Sequence, residues 1–192
     1  IGKIAEHARF DGYLESKRND DKILRDAFGD GSDWFNTGDL VQVHPRRWVS
    51  FADRLGDTYR WKGENISTNE VADLLSRFPG VSEANVYGVE VPNAEGRAGM
   101  VALVPDSGFR IEDFSAEMKS RVPTPLRPAF VRLQPVMKTT ASFKHVKTHL
   151  QKEGFDPAQV SDPLFYLDLA SGNYLPLDEE GYRRIAAGEI RL

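Results

Sequence analysis

Two apolar runs, Ala84–Val91 and Met100–Val104, joined by Pro92-Asn93-Ala94-Glu95-Gly96, constrain the fold of this chain more than any other feature. Each run has the length and composition of a strand, and the punctuation between them forbids one continuous helix. On either side the period changes. Upstream, Val71, Leu74, Leu75 and Phe78 recur at helical spacing and stop at Pro79-Gly80. Ser67 and Glu70 stand three apart, the spacing of a capping box, so the helix starts there. Downstream, Ile111, Phe114 and Met118 mark a helix over 111–121, Ala129–Leu133 a third strand, and Lys144–Lys152 another helix. A short strand at Thr58–Trp61 precedes them all. The order strand, helix, strand, strand, helix, strand, helix fits an α+β domain, a small mixed sheet flanked by helices.

Residues 1–55 carry a different pattern. Leu40-Val41-Gln42-Val43-His44 and Trp48-Val49-Ser50-Phe51 alternate with period two around Pro45-Arg46-Arg47, which reads as a hairpin. Ile23, Leu24, Ala27 and Phe28 fall at helical spacing and predict a short helix before the turn residues Gly29-Asp30-Gly31-Ser32-Asp33. The boundary between the two regions is expected near Arg54-Leu55-Gly56-Asp57. Tyr59 and Trp61 are expected in the core or in hairpin packing. Tyr166, Tyr174 and Tyr182 are expected to pack a C-terminal extension. The chain opens on a strand-like Ile1-Gly2-Lys3-Ile4, which reads as a fragment of something longer.

Composition narrows the function. With 40% hydrophobic and 28% charged residues, the 192-residue chain affords a packed core. A net charge of −4, with Lys and Arg scattered throughout, offers no basic stripe for nucleic acid. The absence of cysteine excludes disulfides and thiolate metal sites. His145 and His149 stand four apart and share a helix face, but no third ligand follows at a recognisable spacing, so no metal site is expected. No apolar run approaches the ~20 residues needed to span a bilayer.

Trp34-Phe35-Asn36-Thr37-Gly38-Asp39-Leu40 contains a tight turn that ends in a carboxylate. Gly38 lets backbone approach a ligand closely, and a fixed carboxylate can accept from both hydroxyls of a ribose. Taken alone, Thr37-Gly38-Asp39 is also an ordinary turn. Arg54 beside Asp53 and Asp57 is equally a surface ion pair, and Lys144 and Lys147 equally a solvated helix face.

The neighbours of these residues decide between the readings. Phe35-Asn36-Thr37-Gly38-Asp39 is followed by Asp53-Arg54-Leu55-Gly56-Asp57-Thr58-Tyr59-Arg60-Trp61-Lys62-Gly63-Glu64-Asn65, and later by Thr139-Thr140-Ala141-Ser142-Phe143-Lys144-His145-Val146-Lys147. In this order they resemble three late motifs of the adenylate-forming enzymes. Glu83-Ala84-Asn85-Val86-Tyr87-Gly88-Val89, Glu95-Gly96-Arg97-Ala98-Gly99-Met100 and the tail Glu153-Gly154-Phe155-Asp156-Pro157 resemble the very-long-chain acyl-CoA synthetase/fatty acid transport branch. The resemblance covers essentially the whole chain.

It implies that residues 1–55 end a large AMP-binding domain, through its last β-hairpin region, and that residues 56–192 form a mobile C-terminal lid domain with an extension. It implies an ATP-dependent fatty acid–CoA ligase that forms an acyl-adenylate and passes it to coenzyme A. Asp39 would bind the ribose hydroxyls, Arg54 the nucleotide, and Lys144 the reacting phosphate. Lys62, Gly63 and Glu64 would line the tunnel for coenzyme A, with Gly63 there because a side chain would narrow it. Leu55, Gly56 and Asp57 would be the hinge. Mg2+ ligands would lie in the N-terminal domain, the chain's implied partner, because the Pro-Lys-Gly phosphate loop and the glutamate for magnesium are not found in this sequence. The cytoplasm, or the cytoplasmic face of a membrane with peripheral association, is the implied location. Two departures stand out. The hairpin turn carries Pro45-Arg46-Arg47 in place of an acidic residue and glycine, and Ala141 replaces a glycine ahead of Lys144. The reading of another class is a stand-alone, non-catalytic module that binds a nucleotide or a partner protein.

Overall fold

The computed structural model describes residues 2–5, 10–12, 22–54, 58–138 and 146–192, with side chains at all of these except 2, 40 and 52–54. The chain divides into two units, Ile1–Gly56 and Asp57–Leu192. In the first, Gly2–Lys3 (β1), Ile23–Leu24 (β2) and Trp34–Phe35 (β3) form an antiparallel sheet with β3 in the middle. The helix expected over 22–28 does not form. Ile23 and Leu24 pair with β3, and residues 25–28 turn, with the Asp26 carboxylate accepting from Gly31 N–H at 2.7 Å. Seven residues beside a glycine-rich turn make too short a helix to hold without packing, and strand pairing wins. Asp39–Val43 (β4) and Val49–Arg54 (β5) form the expected hairpin, closed by a 3-10 turn at Pro45–Arg47. Its register pairs Val41 with Phe51 and Val43 with Val49, and all four side chains are more than half exposed.

The second unit begins with a tight hairpin, Tyr59–Trp61 (β6) and Glu64–Ile66 (β7), of which the sequence pattern announced only the first strand. Thr68–Leu75 (α1) follows. Ser67 is its N-cap, with its hydroxyl accepting from Glu70 N–H at 3.2 Å. The helix ends at Leu75, and Phe78 is buried on the turn beyond it. The two apolar runs become Val81–Val89 (β8) and Ala98–Pro105 (β9), joined antiparallel. Ile111–Arg121 (α2) and Phe130–Leu133 (β10) stand where expected. Thr148–Glu153 (α3) starts later than the helix expected over 144–152: positions 144 and 145 lie outside the described residues, and Val146 and Lys147 precede the helix, Lys147 as its N-cap.

The last thirty residues are more than packing. Leu164–Asp168 (β11) and Asn173–Pro176 (β12) complete one five-stranded sheet in the order β12-β11-β10-β9-β8, and Glu179–Ala186 (α4) follows. Only β9 and β10 run parallel; the other pairs are antiparallel. Strand alternation sends Val86, Val101 and Val131 to one face, against Val71 of α1 and Phe114 of α2. Met100, Ala102 and Phe130 go to the other face, against Leu150 of α3 and Ile185 of α4. The result is a mixed sheet between two helical layers, the α+β arrangement expected.

On the second face Arg132 of β10 is buried and donates to Glu153 at 2.5 Å and Asp162 at 2.6 Å. Burial works against its charge, but the two carboxylates outweigh that and hold the guanidinium more firmly protonated than usual. The cluster locks α3 and the segment leading into β11 onto the middle of the sheet.

Candidate functional site

Asp39 opens β4 at the end of a turn that the local sequence builds by itself. The Asn36 side-chain carbonyl accepts from Gly38 N–H at 3.0 Å, and the Thr37 hydroxyl accepts from Asp39 N–H at 3.1 Å. Gly38 sits at φ +74, a conformation L side chains rarely adopt, so its glycine is a backbone requirement. Across the ladder, Asp39 is the register partner of Arg54, fifteen positions later in the sequence. The Arg54 side chain lies outside the described ones. One cation at this turn was not singled out in the sequence. Lys22 brings its ammonium within 3.3 Å of where a Cβ on Gly38 would stand. No motif marks it; the β2–β3 pairing delivers it.

Lys62 and Gly63 are the two central residues of the β6–β7 hairpin, at φ +50 and +89. Positive φ at both positions is the type I′ turn that two-residue hairpins prefer. A Cβ on Gly63 would meet nothing within 4 Å. Crowding among the described residues therefore does not explain this glycine; the turn does. Glu64 pairs with Trp61 directly below the turn. The turn stands between two grooves of about 470 and 260 Å³, which share Trp61, Lys62, Leu169 and Leu192.

The hairpin is seated on the sheet by a different kind of glycine. Gly88 and Gly99 are register partners on β8 and β9, and the buried Tyr59 side chain lies across both. A Cβ on Gly99 would stand 2.3 Å from the Tyr59 hydroxyl, and one on Gly88 2.5 Å from Tyr59 Cβ. Neither has positive φ, so here space is what glycine supplies. Arg97 N–H donates to the Arg60 carbonyl at 2.7 Å, fastening the same strand from the other side. Burial pushes the Tyr59 phenol well above its usual range.

Lys144 and the hinge residues Leu55, Gly56 and Asp57 lie outside the described residues. The ends of the Lys144 segment are described: Val146 N–H donates to the Lys138 carbonyl at 3.0 Å, so positions 138 and 146 meet. Asp39 and Arg54 thus share one ladder of the first unit, and Lys62, Gly63 and Glu64 share one turn of the second.

Over its whole length the chain is 45% identical to human Long-chain fatty acid transport protein 1 and 43% identical to mouse Long-chain fatty acid transport protein 6, covering 30% and 32% of those proteins. The sequence model of the AMP-binding enzyme C-terminal domain matches residues 70–144. Residues 70–144 thus match an AMP-binding enzyme C-terminal domain, and the whole chain is similar to long-chain fatty acid transport proteins. It spans about a third of the length of the curated relatives it matches. The span matched to the AMP-binding enzyme C-terminal domain runs from α1 through β10 and stops at Lys144; the β6–β7 hairpin precedes it, and β11, β12 and α4 follow it. Among solved structures, a Mycobacterium tuberculosis fatty acyl CoA synthetase overlaps 67% of this chain and 25% of its own, with a TM-score of 0.52 at 27% identity. MatB from Rhodopseudomonas palustris, solved with ATP bound, overlaps 78% of this chain and 29% of its own, with a TM-score of 0.63. At 21% identity that likeness speaks for the fold alone.

Proposed function

We propose that this chain is part of an ATP-dependent fatty acid–CoA ligase, which activates a long or very long chain fatty acid as its adenylate and transfers the acyl group to coenzyme A. The observation that carries this reading is the similarity to long-chain fatty acid transport proteins over the whole chain, at 43–45% identity. The local geometry supports it. The Asp39 carboxylate, held by a self-built turn, is the acceptor for the ribose hydroxyls of ATP. Arg54, its register partner, is the second nucleotide contact. Lys144 brings an ammonium to the α-phosphate and the attacking carboxylate, whose like charges must otherwise repel. The Lys62-Gly63-Glu64 turn guides the thiol of coenzyme A in the second half-reaction.

Residues 1–55 would belong to the large AMP-binding domain and residues 56–192 to the mobile lid, with Leu55-Gly56-Asp57 as the pivot. The apolar face of the β4–β5 hairpin would be covered by the rest of the large domain. Magnesium would be held by residues of the N-terminal domain. No described helix is long and apolar enough to cross a membrane. The parent would work in the cytoplasm or at the cytoplasmic face of a membrane.

The test is direct. The full-length protein should catalyse fatty-acid-dependent ATP–pyrophosphate exchange and form acyl-CoA, whereas residues 1–192 alone should show neither. Exchange by the isolated chain above background would overturn the proposed division of labour. A finer test concerns Asp39. Its partners are neutral hydroxyls, so Asp39→Ala should raise the KM for ATP about tenfold, near the ~1.5–3 kcal/mol of a charge-assisted hydrogen bond. Affinity for the acyl chain should stay unchanged. A folded variant with wild-type ATP dependence would remove Asp39 from the nucleotide site.

A further inference from the structure

The two grooves beside the Lys62-Gly63 turn differ in the cation each can offer to a ligand. In the smaller one Arg127 is already engaged: its guanidinium donates to the carbonyls of Val122 at 2.8 Å and Lys119 at 3.1 Å. In the larger one, of about 470 Å³, Arg191 is exposed and joins no ion pair or hydrogen bond among the described residues. Lys62 belongs to both grooves. Its ammonium stands 5.9 Å from the centroid of the Trp61 ring and joins no ion pair among the described residues. Each groove is also lined by a carboxylate, Glu64 in the smaller and Glu95 in the larger. The charges therefore balance alike, and the unengaged guanidinium is what sets the larger groove apart.

The end of α4 fixes the place of Arg191. Gly188, at φ +77, turns the chain off the helix, with its N–H donating to the Ile185 carbonyl at 2.9 Å. The N–H groups of Glu189 and Ile190 both donate to the Arg184 carbonyl, at 2.9 and 3.3 Å. Ile190 and Leu192, on either side of Arg191, pack against the core of the second face. Across the groove, the Asn93 side-chain amide donates to the Ala186 carbonyl at 3.1 Å, which holds the β8–β9 connection against the end of α4. Leu169, half-exposed on the β11–β12 connection, adds an apolar wall. Arg191 lies beyond the span matched to the AMP-binding enzyme C-terminal domain.

An apolar trough with two cations at its rim suits a ligand that joins an uncharged arm to phosphates. We propose that the larger groove receives the phosphate-bearing end of coenzyme A, with Arg191 as a phosphate contact. The inference rests on the reading that the Lys62-Gly63-Glu64 turn serves coenzyme A. The thiol arm passes the turn, so the phosphates lie outside it, in one groove or the other. A guanidinium meets phosphate oxygens with paired donors, and the larger groove holds the one that is not already engaged.

The experiment is steady-state thioester formation by the full-length protein with two alternative acceptors: coenzyme A, and pantetheine, the same thiol arm without phosphates. Arg191→Met should raise the KM for coenzyme A about fivefold, the upper end for an ion pair open to water, and keep kcat within about twofold of wild type. The KM for pantetheine should not change. Arg191→Lys keeps the charge without the paired donors and should fall between wild type and Arg191→Met. Glu95→Gln removes the opposing charge and should lower the KM for coenzyme A about twofold, again with no effect on pantetheine. Added salt should narrow the gap between wild type and Arg191→Met. An unchanged KM for coenzyme A in Arg191→Met would overturn the proposal while leaving the role of the turn standing. An equal rise for both thiols would overturn it too, by making Arg191 a packing residue of the groove. If the wild-type protein forms the acyl-adenylate but accepts neither thiol, the coenzyme A reading itself fails, and the role of Arg191 with it.

Discussion

Lys144→Ala in the full-length protein is expected to slow acyl-adenylate formation by about 10²–10³-fold, the usual loss on removing one preorganised electrostatic group. The attacking carboxylate and the α-phosphate both carry negative charge, and the barrier is highest while they are forced together. An ammonium excluded from bulk water stabilises that arrangement far more than the separated reactants. No comparable charge is brought together when a thiol displaces AMP from a finished adenylate. The variant should therefore convert preformed acyl-adenylate and coenzyme A to thioester at close to the wild-type rate. Rapid-quench measurement of each half-reaction decides it, and an equal fall in both would make Lys144 a structural residue.

Gly99→Ala is expected to have the opposite signature. Its new methyl would stand 2.3 Å from the Tyr59 hydroxyl and 2.7 Å from Cζ, against a contact distance of about 3.5–4.0 Å. Tyr59 is buried and cannot swing into solvent, so the β6 strand must lift by an ångström or more. Overpacking of this kind costs about 1–3 kcal/mol. The lift carries the Lys62-Gly63 turn with it, and a misplacement of that size slows the reaction it serves by about 10²-fold. Thioester formation from preformed adenylate should thus fall by this factor, with the melting temperature lowered, while adenylate formation is largely kept. Tyr59→Phe provides the control. The hydroxyl is the atom nearest the added methyl and has no hydrogen-bond partner among the described residues. Removing it should be near neutral by itself and should recover part of the loss in Gly99→Ala. Wild-type coenzyme A kinetics in Gly99→Ala would mean that the hairpin turn takes no part in the second step.

The contrast between Gly63 and Gly99 also shows where sequence reasoning reaches its limit. Both glycines sit in motifs legible from the sequence, yet one answers a backbone angle and the other a tyrosine forty positions away. Local chemistry was readable: the Ser67 cap, the β4–β5 hairpin and the paired apolar runs all follow from spacing that short-range physics enforces. The helix expected at Ile23–Phe28 failed because its apolar spacing was satisfied equally by pairing with Trp34–Phe35, two residues too few to announce a strand. The strands β11 and β12 were within reach. Leu164-Phe165-Tyr166-Leu167 and Tyr174-Leu175 flank Asp168 and the Ser171-Gly172 turn, in which the Asp168 carboxylate accepts from Ser171. Of the candidate site, residue types and roles came from the motifs. That Asp39 faces Arg54 across one ladder came only from the register, which no spacing rule encodes when a bulge intervenes at Leu40/Val41.

The strand order β12-β11-β10-β9-β8 has a consequence for synthesis. Read from β8 outward, spatial order equals chain order, so each strand emerging from the ribosome finds its neighbour already made. No strand has to be threaded between two that have paired, and no pairing waits for a distant partner, which keeps loop-closure costs low. The sheet can grow by accretion at one moving edge, from N-terminal to C-terminal. The last strand laid down, β12, contains Pro176, which has no N–H to offer a further strand. It thereby ends the accretion and protects the finished edge from pairing with another copy.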